Sequence, residues 1–204
     1  PLAAFAILTA MGRGLGRVGA WVATAASLLS FLLSLLIAIE RLGGNAEDYT
    51  GRIEWLRAGS ILLHAGYEVT NLTSLMLVIV TFVALLVNLY SIGYMKDDER
   101  ISVFFGYVAL FTASMLGLVL ADNLLTLYIC WELVGVCSFL LIGFWFRKPE
   151  ARAAAKKAFI VTRIGDLGLL LAILLLYWNM PNHALDFTSL YNVFHSQSDT
   201  LSAS

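Results

Sequence analysis

Long apolar runs broken by short polar connections set the pattern of this chain. After an apolar stub at 1–11, runs at 19–39, 73–95, 102–121, 123–146 and 154–178 are each long enough to cross a hydrocarbon core as a helix, which takes about 20 residues. The third and fourth runs are parted only by Ala121, Asp122 and Asn123. A sharp turn is predicted there, because one continuous helix over 102–146 would overshoot the bilayer. The stub is too short to cross and is expected to be the remainder of a first helix whose beginning, with the initiator Met, lies upstream. No basic leader precedes it and no cleavage-like segment follows it, so a signal peptide fits poorly.

Between the first and second full runs, 42–72 mixes Gly, Asn, Asp and Arg with short β-like pieces at 52–56 and 67–70. This segment reads as a small external hairpin or, equally, as an irregular connector. The expected fold is therefore all-α: a polytopic transmembrane helix bundle over 1–178. It has about five full spans, a truncated first helix and a short external hairpin between helices 2 and 3, followed by a polar external tail over 179–204.

Composition agrees with lipid as the solvent. Hydrophobic residues make up 60% and charged residues 13% of the 204-residue chain, and mean hydropathy is +0.83, so a water-soluble domain would lack the charged surface it needs. A formal net charge of −1 and a pI near 6.4, with no polybasic face, argue against a nucleic-acid partner.

The basic residues instead report topology, since Lys and Arg in short connections mark the cytoplasmic side. Arg13 and Arg17 lie in the first connection, Lys96 and Arg100 in the third, and Arg147, Lys148, Arg152, Lys156 and Lys157 in the fifth. The long second connection has only Arg41, Arg52 and Arg57, and the 121–123 turn and the tail have none. Alternate connections are basic, as the five-span count demands. The expected location is the cell membrane of a bacterium with the first residues outside; an organellar inner membrane or a thylakoid membrane obeys the same rule.

Charges at bilayer depth carry the chemistry, because each costs about 2.5–3.5 kcal/mol even on an insertion scale. Glu132 falls near the middle of the fourth run, and Asp166 near the middle of the fifth with Arg163 one turn away. Arg163 and Asp166 are spaced i, i+3 and can pair on one helix face. Either they form a structural clamp, or their pair breaks and re-forms and thereby changes how neighbouring groups hold protons. Glu132 has no cation within a turn on its own helix, so it is either protonated and hydrogen-bonded for packing or meets a cation from another helix, Arg163 being one candidate. A movable cation would switch such a carboxyl between holding and releasing a proton, the minimum apparatus of a proton relay. Gly135, Ser138, Gly165 and Gly168 offer small surfaces for close helix approach or water.

Other candidates carry less. Cys130 and Cys137, seven residues apart on one helix, stand roughly 10 Å apart and read as buried thiols rather than a disulfide. His64, His183 and His195 lie outside the runs at spacings that suit no metal. Gly12-Arg13-Gly14-Leu15-Gly16 has no strand before it and reads as a turn rather than a dinucleotide loop.

Three segments together resemble a known family: Ala121-Asp122-Asn123-Leu124-Leu125, Trp131-Glu132-Leu133-Val134-Gly135 running on to Phe144, and Lys157-Ala158-Phe159-Ile160-Val161-Thr162-Arg163-Ile164-Gly165-Asp166. They are similar to the largest antiporter-like subunit of complex I, its chain 5, over about 3–194 and most specifically over 104–171. The resemblance implies a proton-translocating membrane-arm subunit of an NADH:quinone oxidoreductase. Such a subunit carries no redox cofactor of its own, within a parent complex using NADH, FMN, iron–sulfur clusters and quinone; its partners are other membrane-arm subunits, the lipid bilayer and protons. Glu132 resembles the family's glutamate on helix five, which pairs with a lysine on helix seven, and Arg163 and Asp166 match its helix-six ion pair.

The family continues into that lysine helix, broken helices and a lateral helix, which this sequence does not reach, so completing a proton path is expected to need more chain. The family commonly has Asp where Asn71 stands, which leaves a role for an external carboxyl open. The large subunit of a multisubunit Na+/H+ antiporter shares the Trp-Glu helix but resembles the Thr-Arg-Ile-Gly-Asp run less. A photosynthetic relative of complex I and a non-conducting membrane scaffold complete the alternatives.

In a background with Cys130 and Cys137 replaced, single cysteines at 121–123 are expected to label from the face opposite to cysteines in 147–157. Labelling of both from one face would overturn the span count.

Overall fold

The structure, a computed structural model, describes residues 1–43, 49–58, 61–180 and 183–202, the side chains of 12, 13, 53–65 and 196–202 excepted. The side chains of Arg13, Arg57 and His64 thus lie outside the described part. Its helices are α1 (Leu2–Met11), α2 (Gly16–Leu42), α3 (Asn71–Tyr94), α4 (Ile101–Leu120), α5 (Leu124–Ile142), α6 (Pro149–Asn179) and α7 (Phe187–Ser202). Strands β1 (Tyr49–Ala58) and β2 (Ile61–Val69) stand between α2 and α3. Five helices, α2 to α6, are long and apolar enough to cross a membrane, and α1 covers only about 15 Å at 1.5 Å per residue.

The helix ends follow local chemistry. Thr70 caps α3, its hydroxyl accepting from the Thr73 N–H at 3.2 Å, and Asn123 caps α5, its amide oxygen accepting from the Thr126 N–H at 2.7 Å. Ala121 and Asn123 are extended between the two helices, and the cap starts α5 directly after them. α5 stops at Ile142, short of the expected 146, with Gly143 at its end. α6 begins at Pro149, ahead of the expected 154, because Pro suits the first helical turn and Glu150 there complements the helix dipole.

The strands pair antiparallel from Tyr49 opposite Val69 to Ala58 opposite Ile61, with an irregularity between Glu54 and Leu56. The piece expected at 52–56 lies in β1 and that at 67–70 in β2 except for Thr70, which caps α3, and the two do not face each other: Arg52 pairs with Gly66 and Tyr67 with Gly51. Helix α7 occupies most of the segment expected as a polar tail. Phe187, Leu190, Tyr191 and Phe194 recur at helical spacing there, a stripe that the low average hydropathy of the segment conceals. Asp186 starts this helix, its carboxylate accepting from the Ser189 N–H at 2.9 Å.

The apolar core joins Leu8 of α1, Ala20 and Ala23 of α2, Met95, Ile101, Phe105 and Phe144. Between α2 and α3 the contact is different, a buried stripe of small polar side chains. Ser34 and Thr81 hydroxyls meet at 2.7 Å, and the Asn88 amide donates to Ser27 at 3.0 Å, the kind of polar bonding that holds helices together where lipid removes any hydrophobic drive. Cys137 is fully buried with its thiol 3.9 Å from the Ser114 hydroxyl, and Cys130 packs where Gly117 leaves room; both sulfurs serve the α4–α5 contact.

The connections sort to two ends. At one, the Arg17 guanidinium donates to the Lys96 carbonyl at 3.4 Å, Arg100 donates to the Phe144 carbonyl, and the Trp145 indole donates to Asp98 at 2.9 Å. The three basic connections therefore share this end, as the charge pattern demands. Asp98 is held below the ordinary carboxylate range: slight burial works upward but is outweighed by the bonds from Trp145 and the Arg100 N–H and by the Arg100 charge. Its contribution is present at neutral pH and lost as acid brings the pH down through its lowered pKa.

The other end is a knot around Asp122, whose side chain is only 3% exposed. Asp122 accepts from Arg52 of β1 at 3.2 Å and from the Asn123 amide at 2.6 Å. Arg52 also reaches Asp186 at 3.9 Å, and single bridges join Tyr67 to Ala121 and Asn123 to Asp186. Asp186 lies below its ordinary range, burial being outweighed by the Ser189 bonds, its own backbone and Arg52. Nearby, Arg41 donates to the Asn71 amide oxygen at 3.0 Å, so Asn71 acts as a neutral acceptor where the resembled family commonly has Asp.

Gly66 makes the knot sterically possible, since a Cβ at that position would run into the Asp122 carboxylate. Gly66→Ala is expected to push Asp122 off Arg52 and destabilise the protein by about 1–3 kcal/mol, read as a lowered unfolding temperature in detergent. An unchanged unfolding temperature would remove the knot from the account of stability.

Candidate functional site

α5 and α6 run antiparallel. Gly143 lies opposite Ala155, the Phe139 and Phe159 rings meet at 5.3 Å, and Trp131 reaches Asp166, so one number falls as the other rises. On α5 and its C-terminal cap the contact face steps through Glu132, Gly135, Phe139 and Gly143, and on α6 through Ala155, Phe159, Arg163 and Asp166. These are i, i+3 and i, i+4 steps, the spacing that keeps residues on one helix face. Glu132 lies eight residues into α5, about 12 Å from its start and so near mid-membrane depth.

The sequence-predicted residues come together on this face. Arg163 forms an ion pair with the Glu132 carboxylate, donates to the Glu132 carbonyl at 3.4 Å and stands 3.8 Å from the Asp166 carboxylate. One guanidinium is thereby shared between carboxylates from two helices. Its carbon stands 4.7 Å from the centre of the Phe159 ring, whose negative face favours a cation. Side-chain exposure falls from 27% at Arg163 and 23% at Glu132 to 9% at Asp166, so the shared pair opens to one side while Asp166 lies behind it.

Of the small residues expected near the charges, Gly135 is the one that makes room. A Cβ there would stand 3.7 Å from the Arg163 guanidinium. Gly165 and Gly168 have no neighbour within 4 Å and support no close helix approach among the described residues. The Ser138 hydroxyl folds back to the Val134 carbonyl at 3.0 Å. The histidines take local roles: His183 bonds the Tyr177 carbonyl at 2.8 Å and stacks on that ring, and His195 packs against Tyr191. Among the described residues no group of three His, Cys, Asp or Glu could hold a metal ion.

Sequence reasoning missed one member of the site. The Trp131 indole N–H donates to Asp166 Oδ1 at 2.8 Å, while Asp166 Oδ2 and Arg163 Nε are buried without a hydrogen bond. The available signal was an aromatic with a polar handle beside an intramembrane carboxyl, a residue type that finds a partner when buried.

A polytopic bundle in which two carboxylates at membrane depth share one guanidinium marks a membrane protein with a buried ionisable site. The comparisons with known proteins sharpen this class. Residues 121–204 match the family described as NADH:quinone oxidoreductase/Mrp antiporter, TM, and residues 55–105 match NADH-Ubiquinone oxidoreductase (complex I), chain 5 N-terminus. The chain belongs to this family of chain 5 and Mrp-type membrane subunits.

It is 49% identical over 162 residues to the chloroplastic NAD(P)H-quinone oxidoreductase subunit 5 of Mesostigma viride, covering 79% of this chain and 25% of that protein. It is 50% identical over 149 residues to NAD(P)H-quinone oxidoreductase chain 5 of Synechocystis sp., covering 73% and 22% respectively. A solved Mrp complex from Dietzia sp. aligns with a TM-score of 0.70 at 30% identity, over 86% of this chain and 19% of that one. The chain spans about a quarter of the length of the curated relatives it matches. These relatives are named as subunits of larger assemblies.

Arg163→Met removes the side chain that reaches both carboxylates. The expected cost is about 1–3 kcal/mol, less than the roughly 3–5 kcal/mol of a fully buried pair because Arg163 and Glu132 stay partly exposed. Thermal unfolding of the purified protein checks this, and a wild-type unfolding temperature would show that the shared pair contributes nothing to stability.

Proposed function

We propose that this chain is part of a proton-translocating membrane-arm subunit of an NADH:quinone oxidoreductase, in which buried ionisable residues couple electron transfer to proton movement. One observation carries the reading: Arg163 stands within reach of both Glu132 and Asp166. With Arg163 on Asp166, Glu132 keeps its proton, because an unpaired carboxylate in a low-dielectric setting is costly. With Arg163 on Glu132, the cation stabilises the carboxylate and the proton leaves to the next acceptor, which the family resemblance assigns to a lysine of a later helix. Electrons stay in the parent complex with its NADH, FMN, iron–sulfur clusters and quinone, and this chain supplies no redox group. Other membrane-arm subunits are its partners.

The location we propose is the cell membrane of a bacterium, with the basic end in the cytoplasm and the first residues outside. The basic connections gathered at one end support that orientation. The chloroplastic and cyanobacterial relatives support a photosynthetic form of the complex in a thylakoid membrane as the variant reading. The likeness to the Mrp complex supports a second function, cation–proton exchange without quinone reduction.

In the full-length subunit within its complex, Glu132→Gln keeps size and hydrogen-bonding capacity but carries no transferable proton. The expected result is normal assembly with the ratio of protons moved per electron reduced severalfold. A wild-type ratio would favour the scaffold reading, and Na+-driven proton exchange with no dependence on quinone would favour the Mrp-type one.

A further inference from the structure

Resting on that reading, we propose that Trp131 is a positioning residue of the ion switch, holding Asp166 through its indole N–H so that Arg163 can leave for Glu132 without Asp166 becoming the acceptor of the released proton.

The geometry leads there by counting donors. Asp166 is 6% exposed and has two donors near it among the described residues, Trp131 Nε1 at 2.8 Å on Oδ1 and Arg163 at 3.8 Å from Oδ2. Oδ2 has no hydrogen bond even in this arrangement. When Arg163 is drawn fully onto Glu132, Trp131 is the donor that stays. An indole N–H has one donor, no acceptor and no proton to exchange at working pH, so it remains in place through the whole cycle.

Charge accounting gives the consequence. With Glu132 protonated and Arg163 on Asp166, the three side chains sum to zero. With the proton gone and Arg163 on Glu132, they sum to minus one, and the uncompensated charge sits on Asp166. Two outcomes compete for the proton that Glu132 loses. It leaves the site, or it crosses to Asp166 one turn from Arg163, which restores neutrality and moves nothing across the membrane. A standing donor on Oδ1 favours the first outcome by stabilising the carboxylate directly. Trp131 itself gains and loses no proton.

The placement also explains why Trp131 and Glu132 are adjacent. Consecutive helical residues point about 100° apart, so Trp131 and Glu132 approach the α6 charges from two directions, Trp131 at Asp166 and Glu132 at Arg163. The indole remains half exposed, with its N–H turned inward.

The test replaces Trp131 in the full-length subunit, within its assembled complex, by β-(3-benzothienyl)alanine, which keeps the bicyclic shape and exchanges the N–H for sulfur. Assembly is expected to be unchanged, with protons moved per electron falling at least twofold. 7-Azatryptophan, which retains the N–H, is expected to stay near the wild-type ratio. In an Asp166→Asn background the benzothienyl replacement is expected to have no further effect, since the two residues act as one unit. Trp131→Phe gives the same reading if the unnatural residue fails to incorporate. A wild-type ratio in the N–H-free protein would overturn the proposal, as would an equal further loss in the Asp166→Asn background, which marks packing alone. If Glu132→Gln impairs pumping and the Trp131 replacements do not, only this proposal fails; if Glu132→Gln is silent as well, the relay reading fails.

Discussion

Charge in hydrocarbon is the constraint from which the rest of this structure follows. A lone ion at mid-membrane depth costs several kcal/mol, so each ionisable side chain there must be met by another group. That requirement fixes the contact between α5 and α6, because Glu132, Arg163 and Asp166 meet only if the two helices run antiparallel in one register. Sliding α6 by a turn would part Arg163 from Glu132 and separate Phe139 from Phe159 as well. The packing is specified by electrostatics, with aromatic contact filling what remains.

The same constraint acts more gently at the ends, where polar groups gather into two different arrangements. At the basic end Arg17 and Arg100 donate to backbone carbonyls and Trp145 to Asp98, and the Lys and Arg gathered there are the residues whose placement orients a membrane protein. At the hairpin end two described carboxylates, Asp122 and Asp186, share Arg52. Charge sharing at this end and in the mid-membrane site has the same form, one guanidinium between two carboxylates. The hairpin-end version is tightened by backbone bridges, and the mid-membrane version is left partly open.

The spans, the break at 121–123 and the three mid-membrane charges were legible in the sequence, because hydropathy and charge are properties of single positions and survive without coordinates. Glu132 and Arg163 as partners were legible only as one candidate pairing, since helix order does not fix helix register. Trp131 was not legible as a site residue: a tryptophan in an apolar run carries no one-dimensional sign of where its N–H points. The Arg52–Asp122–Asp186 knot was hidden for a related reason, its members coming from three separate connections. α7 was missed because averaging hydropathy over 179–204 erased a stripe that exists only at helical period. Asn71 was legible as a departure from the resembled family, and the structure supplies what it does there, accepting from Arg41.

The knot at Asp122 also joins parts of the chain that are synthesised at different times. Arg52 is separated from Asp122 by 70 residues, so a ribosome adding about 5–20 residues per second delivers the arginine roughly 4–14 s before its first carboxylate. Asp186 comes later still, after the whole of α6 has been threaded. Arg52 can therefore meet Asp122 only after the α4–α5 turn has been made and lies on the same face as the hairpin. A chain in which α4 and α5 formed one overlong helix would have no Asp122 turn for Arg52 to meet.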